Sequence, residues 1–137
     1  MRMLIIVQVV VLMVVAVAAG AADRTVCAPD SDVIFHVNGT VDTCNLRIQY
    51  EQGNLKCTPY SPVSFYADGK IRSCVLYEDV TIAGIACGDK GTITFYPTGG
   101  LRSCTLDARQ TVDGSKCMAD QPISLYENGR LESCTTE

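Results

Sequence analysis

The stretch that decides the fold reads "SFYADGKIRSC", Ser64–Cys74. Near copies read "TFYPTGGLRSC", Thr94–Cys104, and "SLYENGRLESC", Ser124–Cys134. In each copy, β-branched and aromatic residues flank a short segment that contains glycine, which is the pattern of a β-hairpin. The sequence therefore predicts the same hairpin several times over, each copy ending in a cysteine.

The cysteines give the hairpins a fixed period. Their spacings alternate between 17 and 13 residues, which makes a repeat of 30. A period of this size is typical of stacked supersecondary units. After residue 22 we therefore expect a single repeat domain at 23–137, with units at 27–56, 57–86, 87–116 and 117–137.

The first 22 residues, "MRMLIIVQVVVLMVVAVAAGAA", have the form of a secretory signal peptide. Arg2 is their only charge, a long apolar stretch follows, and small residues close the segment. We expect cleavage after Ala21 or Ala22 and an extracytoplasmic location, periplasmic or secreted. The alternative is an uncleaved membrane anchor, since the apolar stretch is a little long for a signal peptide and a membrane span needs about 20 apolar residues. After cleavage we expect no stable membrane insertion.

The third unit indicates the turn type, because its turn contains a proline. Pro97 suits the first central position of a type I turn, and Gly99 then takes the left-handed bulge position. In a two-residue turn, Pro97 would have to donate an amide hydrogen that it lacks. The sequence thus predicts a three-residue loop with a glycine bulge.

That loop predicts a register and a core face. The expected partners are Phe95 with Leu101, Ile93 with Ser103, and Thr94 with Arg102. The face toward the core then carries Ile93, Phe95 and Leu101, with Val33, Phe35 and Val41 as their equivalents in the first unit. The opposite face carries Tyr96, Arg102 and Cys104.

The connectors between hairpins are less regular. Segments such as "TIAGIAC" and "TVDGSKC" predict a short third strand in each unit, and no segment has a helical period. The predicted fold is all-β: tandem hairpins stacked as an extended meander or a short β-solenoid. Such a thin sheet needs covalent support, because ordering the backbone alone costs about 1–2 kcal/mol per residue.

In an exported chain, regularly spaced cysteines predict disulfides. The candidates are Cys27, Cys44, Cys57, Cys74, Cys87, Cys104, Cys117 and Cys134. Pairing across the gap of 17 uses all eight, whereas pairing across the gap of 13 leaves Cys27 and Cys134 over. A ladder between equivalent cysteines of adjacent units is a third pattern. Spacing therefore favours the 17-residue pairing without excluding the others.

Composition and motifs argue against several functions. Beyond residue 22 the chain carries ten basic and 15 acidic residues, a formal charge of −5, and has no basic run. We therefore expect no nucleic-acid partner. We also expect no metal or other cofactor, since neither paired metal ligands nor a C-x-x-C motif is present. The single histidine, His36, occupies a repeat column where other units have tyrosine, so we expect no enzyme activity.

The tyrosine column is the candidate binding feature. Tyr66, Tyr96 and Tyr126 recur at one position of the hairpin. They predict either an exposed aromatic stripe, since aromatic residues are favoured at binding surfaces, or packing between neighbouring hairpins.

The units "FYADGKIRSC", "FYPTGGLRSC" and "LYENGRLESC" resemble the MORN-variant repeats of bacterial proteins. They depart from that family in the 30-residue period and the paired cysteines. The resemblance implies stacked β-hairpins and an interaction role, and transfers no catalytic residue. We expect a non-catalytic binding or structural module whose partner is a protein or a cell-envelope component such as a glycan. The alternative is a small exported effector, antitoxin or enzyme inhibitor, which an exposed, non-repeating segment would favour.

Overall fold

The computed structural model describes residues 22–137, so residues 1–21 of the predicted signal peptide lie outside it. Within this range the chain forms a 3-10 turn at Arg24–Val26 and fourteen β-strands. In chain order the strands are β1 (Ile34–Phe35), β2 (Val41–Asn45), β3 (Tyr50–Gln52), β4 (Leu55–Cys57), β5 (Pro62–Phe65), β6 (Ile71–Val75), β7 (Val80–Ile82), β8 (Ile85–Cys87), β9 (Thr92–Phe95), β10 (Leu101–Thr105), β11 (Gln110–Val112), β12 (Ser115–Cys117), β13 (Pro122–Leu125) and β14 (Leu131–Cys134). The predicted all-β fold is confirmed.

Eight strands form one antiparallel sheet in the order β1-β2-β5-β6-β9-β10-β13-β14. Each unit supplies one hairpin to this sheet. The second strand of a hairpin pairs with the first strand of the next hairpin along the chain. Of the two predicted architectures, the structure is therefore the extended meander and not the β-solenoid.

The turn of the third unit has the predicted form. The amide of Tyr96 donates to the carbonyl of Gly100, and the amide of Gly99 donates to the carbonyl of Tyr96, both at 2.8 Å. Gly99 lies in the left-handed region with φ +91°. This is a type I turn closed by a glycine bulge, with Pro97 at the first central position, where its fixed φ is favourable.

The predicted register holds only for its first pair. Phe95 does lie opposite Leu101, but the register then shifts, so that Thr94 lies opposite Ser103 instead of Arg102. A second bulge at Leu101 and Arg102 causes the shift, because two residues there face one on the partner strand.

The second bulge also corrects the predicted position of Cys104. Its side chain is 2 % exposed and belongs to the core, whereas the prediction placed it on the opposite face. The prediction that Ile93, Phe95 and Leu101 share the core face is right, since all three are buried. In the first unit Val41 is buried but Phe35 is 46 % exposed.

The connectors form small hairpins where the sequence predicted single strands. β3 pairs with β4, β7 with β8, and β11 with β12. Each small hairpin is closed by a two-residue turn. In Ala83-Gly84 and Asp113-Gly114 both residues have positive φ, as a type I′ turn requires. The prediction missed one strand in each of the first three units. Ala83 is a weak signal for this turn, although Asp113-Gly114 is a typical sequence for it.

The small hairpins cover one face of the large sheet, and the core lies between the two layers. Tyr50 of β3 packs edge-on against Phe65 of β5, with ring centroids 5.4 Å apart. Leu55, Val80 and Ile85 of the small hairpins belong to the same buried cluster as Phe65. We call this the inner face of the sheet, and the opposite, solvent-facing side the outer face.

Four disulfides staple the fold: three connect a small hairpin to the large sheet, and the first connects the segment after the 3-10 turn to β2. They are Cys27–Cys44, Cys57–Cys74, Cys87–Cys104 and Cys117–Cys134, each with a separation of 17 residues. Cys57, for example, ends the small hairpin β3–β4, and its partner Cys74 lies in β6 of the large sheet. This is the pairing that the spacing favoured. Disulfides in this number indicate an oxidising, extracytoplasmic environment.

Candidate binding surfaces

The tyrosine column forms a ladder of hydrogen bonds between units. The hydroxyl of Tyr66 donates to the carbonyl of Phe95 at 2.7 Å, and the hydroxyl of Tyr96 donates to the carbonyl of Leu125 at 2.8 Å. His36 takes the same part in the first unit, with Nε2 2.7 Å from the carbonyl of Phe65. Each ring therefore reaches from its own hairpin to the backbone of the next.

Arginine side chains lie over two of these rings. The guanidinium of Arg72 is 5.7 Å from the ring centre of Tyr66, and that of Arg102 is 5.6 Å from the ring centre of Tyr96. Both distances suit a cation–π contact. Tyr66 and Tyr96 are only partly exposed, whereas Tyr126 is 52 % exposed. The arrangement favours packing between hairpins for the first two tyrosines and leaves Tyr126 as the exposed member.

The outer face beside the ladder is lined by paired hydroxyl groups. Ser64 and Ser73 lie opposite each other in β5 and β6, with their oxygens 2.5 Å apart. Thr94 and Ser103 repeat this pair in the third unit at 2.6 Å. These hydroxyls satisfy one another, so the centre of the outer face contributes to sheet stability and has few free polar groups for a ligand.

The first junction between units also carries an ionic group. Asp42 accepts a hydrogen bond from Arg72 of the next unit, and Nδ1 of His36 lies 3.7 Å from its second oxygen. Partial burial raises the pKa of Asp42, but the hydrogen bonds from Arg72 and Thr43 and the nearby positive charge outweigh it and lower that pKa. Both ring nitrogens of His36 thus face neighbouring protein groups.

A cleft of about 390 Å³ lies between the first two small hairpins. We call its buried and half-buried apolar residues the floor, namely Leu55, Ile71, Ile82 and Phe95. The rim is formed by more exposed residues, which include Gln52, Asn54, Lys70 and Thr81. Its volume lies in the range of 300–1,000 Å³ that is typical of ligand pockets, and its lining is polar and apolar in similar measure.

Sequence reasoning missed this cleft, although one repeat column carries a signal for it. The gap between the second and third small hairpins is bridged by Gln110, which donates to the carbonyl of Gly84 and accepts from the amide of Ala86. The second unit has Val80 in the Gln110 column, and a valine cannot make these bonds. The first two hairpins are therefore not tied together at this position.

In residues 22–137 we find no cluster of three or more His, Cys, Asp or Glu side chains that would hold a metal ion. No helix in this range is long and apolar enough to cross a membrane. Comparison with known proteins returned no matching family model, no matching curated protein and no matching solved structure.

Proposed function

We propose that this chain is a non-catalytic binding and structural module of the periplasm or the secreted fraction. In this proposal the disulfides and the tyrosine ladder make a rigid two-layer scaffold, and the cleft between the first two small hairpins receives a ligand. The observation that carries the proposal is the cleft itself, which has an apolar floor that includes Phe95 and a polar rim.

Two features support a non-catalytic role. The single histidine of the chain is engaged in the ladder and in the ionic group with Asp42, so it is poorly placed to act as a general base. All eight cysteines are bridged, which removes thiol chemistry.

The chemistry of the cleft favours a protein partner that inserts an apolar side chain beside an acidic group. The floor offers the aliphatic and aromatic surface of Leu55, Ile82 and Phe95. Lys70 supplies a positive charge at the rim, and its contact with Asp68 is a long one of 3.9 Å between exposed side chains. An anchor residue in a well-formed pocket is the usual centre of such an interface.

The first test uses 8-anilinonaphthalene-1-sulfonate, which combines an apolar aromatic body with one negative charge. We expect the exported protein to enhance its fluorescence and the Thr81→Trp variant, which fills the cleft from its rim, to lose that enhancement. Thr111→Trp is the matched control, because Thr111 is the repeat equivalent of Thr81 and is also exposed. Equal enhancement by Thr81→Trp, or none by the unmodified protein, would contradict the proposal.

The second test identifies the surface that a protein partner uses. We expect affinity capture from the exported fraction to retain a partner on the unmodified protein and on Thr111→Trp, and to lose it on Thr81→Trp.

The effector or inhibitor alternative has one observation in its favour. Ile48, Tyr60 and Tyr77 are exposed large apolar side chains in columns where the other units carry different residues. A partner that is retained by Thr81→Trp and lost by a Tyr60→Ser, Tyr77→Ser double variant would support this alternative over the cleft.

A further inference from the structure

The large sheet ends in two unpaired edges within residues 22–137. β1 is the first strand of the sheet and β14 is the last, and each has a neighbour on one side. We infer that β14 of one copy pairs with β1 of a second copy, so that the chain assembles head to tail. This inference rests on the repeat and is independent of the cleft.

The internal junctions define the register of such a contact. They pair Thr43 with Ser64, Ser73 with Thr94, and Ser103 with Ser124. Continuing the same repeat places Ser133 of β14 opposite Ile34 of the next copy and Cys134 opposite Val33. The free edge of β14 is thus equivalent to the edges through which β2, β6 and β10 pair with the next hairpin. The free edge of β1 is equivalent to the edges of β5, β9 and β13 that receive them.

The tyrosine ladder continues across the same contact. Tyr126 is the member of the column that follows Tyr96, and in the part of the chain described here its hydroxyl makes no bond like those of Tyr66 and Tyr96. In a head-to-tail pair it would donate to the carbonyl of Phe35 in the next copy.

A turn contact is repeated as well. The side-chain amide of Asn38 donates to the carbonyl of Ala67 in the next unit at 3.0 Å. The last unit again carries asparagine in this column, Asn128, and its acceptor in a second copy would be the carbonyl of Val37. Tyr126 and Asn128, at the β14 end, are therefore the same residue types that form hydrogen bonds between units inside the molecule.

The β1 end carries the apolar surface that this contact would cover. Ile34 is 59 % exposed, Phe35 is 46 % exposed and Val37 is fully exposed. Neither residue of β1 carries a charge, although charged side chains are a common protection of edge strands. One pair of like charges opposes the contact, since the carboxylate of Glu132 would approach that of Asp42 in the next copy.

Because the two surfaces differ, the contact is heterologous. Such a contact leaves one free β1 and one free β14 in every assembly, so growth does not stop at a dimer. A contact between two β1 edges or two β14 edges would stop there.

The test measures the mass of the exported protein by light scattering as a function of concentration, in about 0.5 M salt to screen Glu132 and Asp42. We expect the average mass to rise through dimers and higher oligomers. Ile34→Lys should remain monomeric. Ile48→Lys is the matched control and should assemble normally, because Ile48 is 58 % exposed and lies outside both edges.

A mixing experiment tests the polarity of the contact. Ile34→Lys blocks β1 and leaves β14 free, whereas Ser133→Lys blocks β14 and leaves β1 free. We expect each variant alone to be monomeric and their mixture to form a dimer that contains one copy of each. Dimers of either variant alone, a monomeric mixture, or an unmodified protein that stays monomeric at all concentrations would overturn the inference.

Discussion

The hydroxyl of Tyr96 donates a 2.8 Å hydrogen bond to the backbone carbonyl of Leu125, which lies in the next unit of the repeat. The bond joins two successive hairpins through a side chain, in addition to the backbone pairing of β10 with β13. Since Tyr66 makes the same bond to Phe95, the column ties successive units together on the outer face.

Replacing Tyr96 by phenylalanine tests this role. The change removes the hydroxyl and keeps the ring, so we expect Tyr96→Phe to lower the free energy of unfolding by about 1 kcal/mol. Tyr126→Phe, which removes a hydroxyl with no acceptor of this kind in residues 22–137, should change it by much less. Denaturant titration of dilute, monomeric protein compares the two variants, and equal effects would argue against the ladder as a source of stability.

Replacing Phe65 tests how much the small hairpins contribute to the stability of the core. Its side chain is fully buried beneath Tyr50, so we expect Phe65→Ala to cost about 3–5 kcal/mol of unfolding free energy. Phe35 occupies the same column but is 46 % exposed, and Phe35→Ala should cost clearly less. A similar cost at both positions, measured by thermal or denaturant unfolding, would contradict the two-layer core.

Replacing each of two adjacent glycines in the third turn tests the assigned backbone conformation, because a methyl group has room at both positions and only one has a positive φ. Gly99 has φ +91° and open space where a methyl group would lie, so Gly99→Ala should destabilise the protein by about 1 kcal/mol through its backbone alone. Gly100 lies outside the left-handed region and has room for a methyl group, with its nearest atoms 3.9 Å away. Gly100→Ala should be neutral or stabilise by up to about 1 kcal/mol. The reverse order of melting temperatures would exclude the assigned turn.

The lowered pKa of Asp42 predicts that the stability of the fold depends on pH. Because its pKa in the folded protein is lower than its ordinary value of 3.8, the ion pair with Arg72 stabilises the fold above about pH 4. This contribution is lost as the pH falls through that value toward the folded pKa. Asp42→Asn should lower the unfolding free energy at pH 7 by about 1 kcal/mol or less, since the Arg72 side chain is 37 % exposed.

The difference between Asp42→Asn and the unmodified protein should shrink below pH 4, which urea titrations at pH 7 and pH 3 would measure. Asp68→Asn is the control, because two other units carry asparagine in that turn position. If both variants give the same pH profile, the ion pair with Arg72 is not the cause.

The sequence was most informative at the turn of the third large hairpin, where two residues have one dominant backbone preference each. Pro97 and Gly99 identified the turn because each restricts or permits φ in a way that few residues share. Leu101 and Arg102 gave no such signal for the second bulge, since ordinary side chains adopt bulge conformations. The error was confined to register, but it moved Cys104 to the wrong face of the sheet.

The binding surfaces were less predictable because they depend on neighbours in space. The period placed the tyrosines in one column, but the carbonyl that each hydroxyl reaches belongs to the next unit. The cleft depends on a missing contact between two hairpins, which Val80 explains only once the position of Gln110 is known. Residue types alone do not contain that information.

Each disulfide closes a loop within its own thirty-residue period and none crosses from one period to another. A bridge can therefore form as soon as its own segment meets an oxidising environment, and it does not need any other segment to be present. Correct oxidation needs no shuffling of partners over long distances. A recombination event that adds or deletes one unit of thirty residues would leave every remaining cysteine with its own partner. The array can therefore change its length without any change in the disulfide pairing.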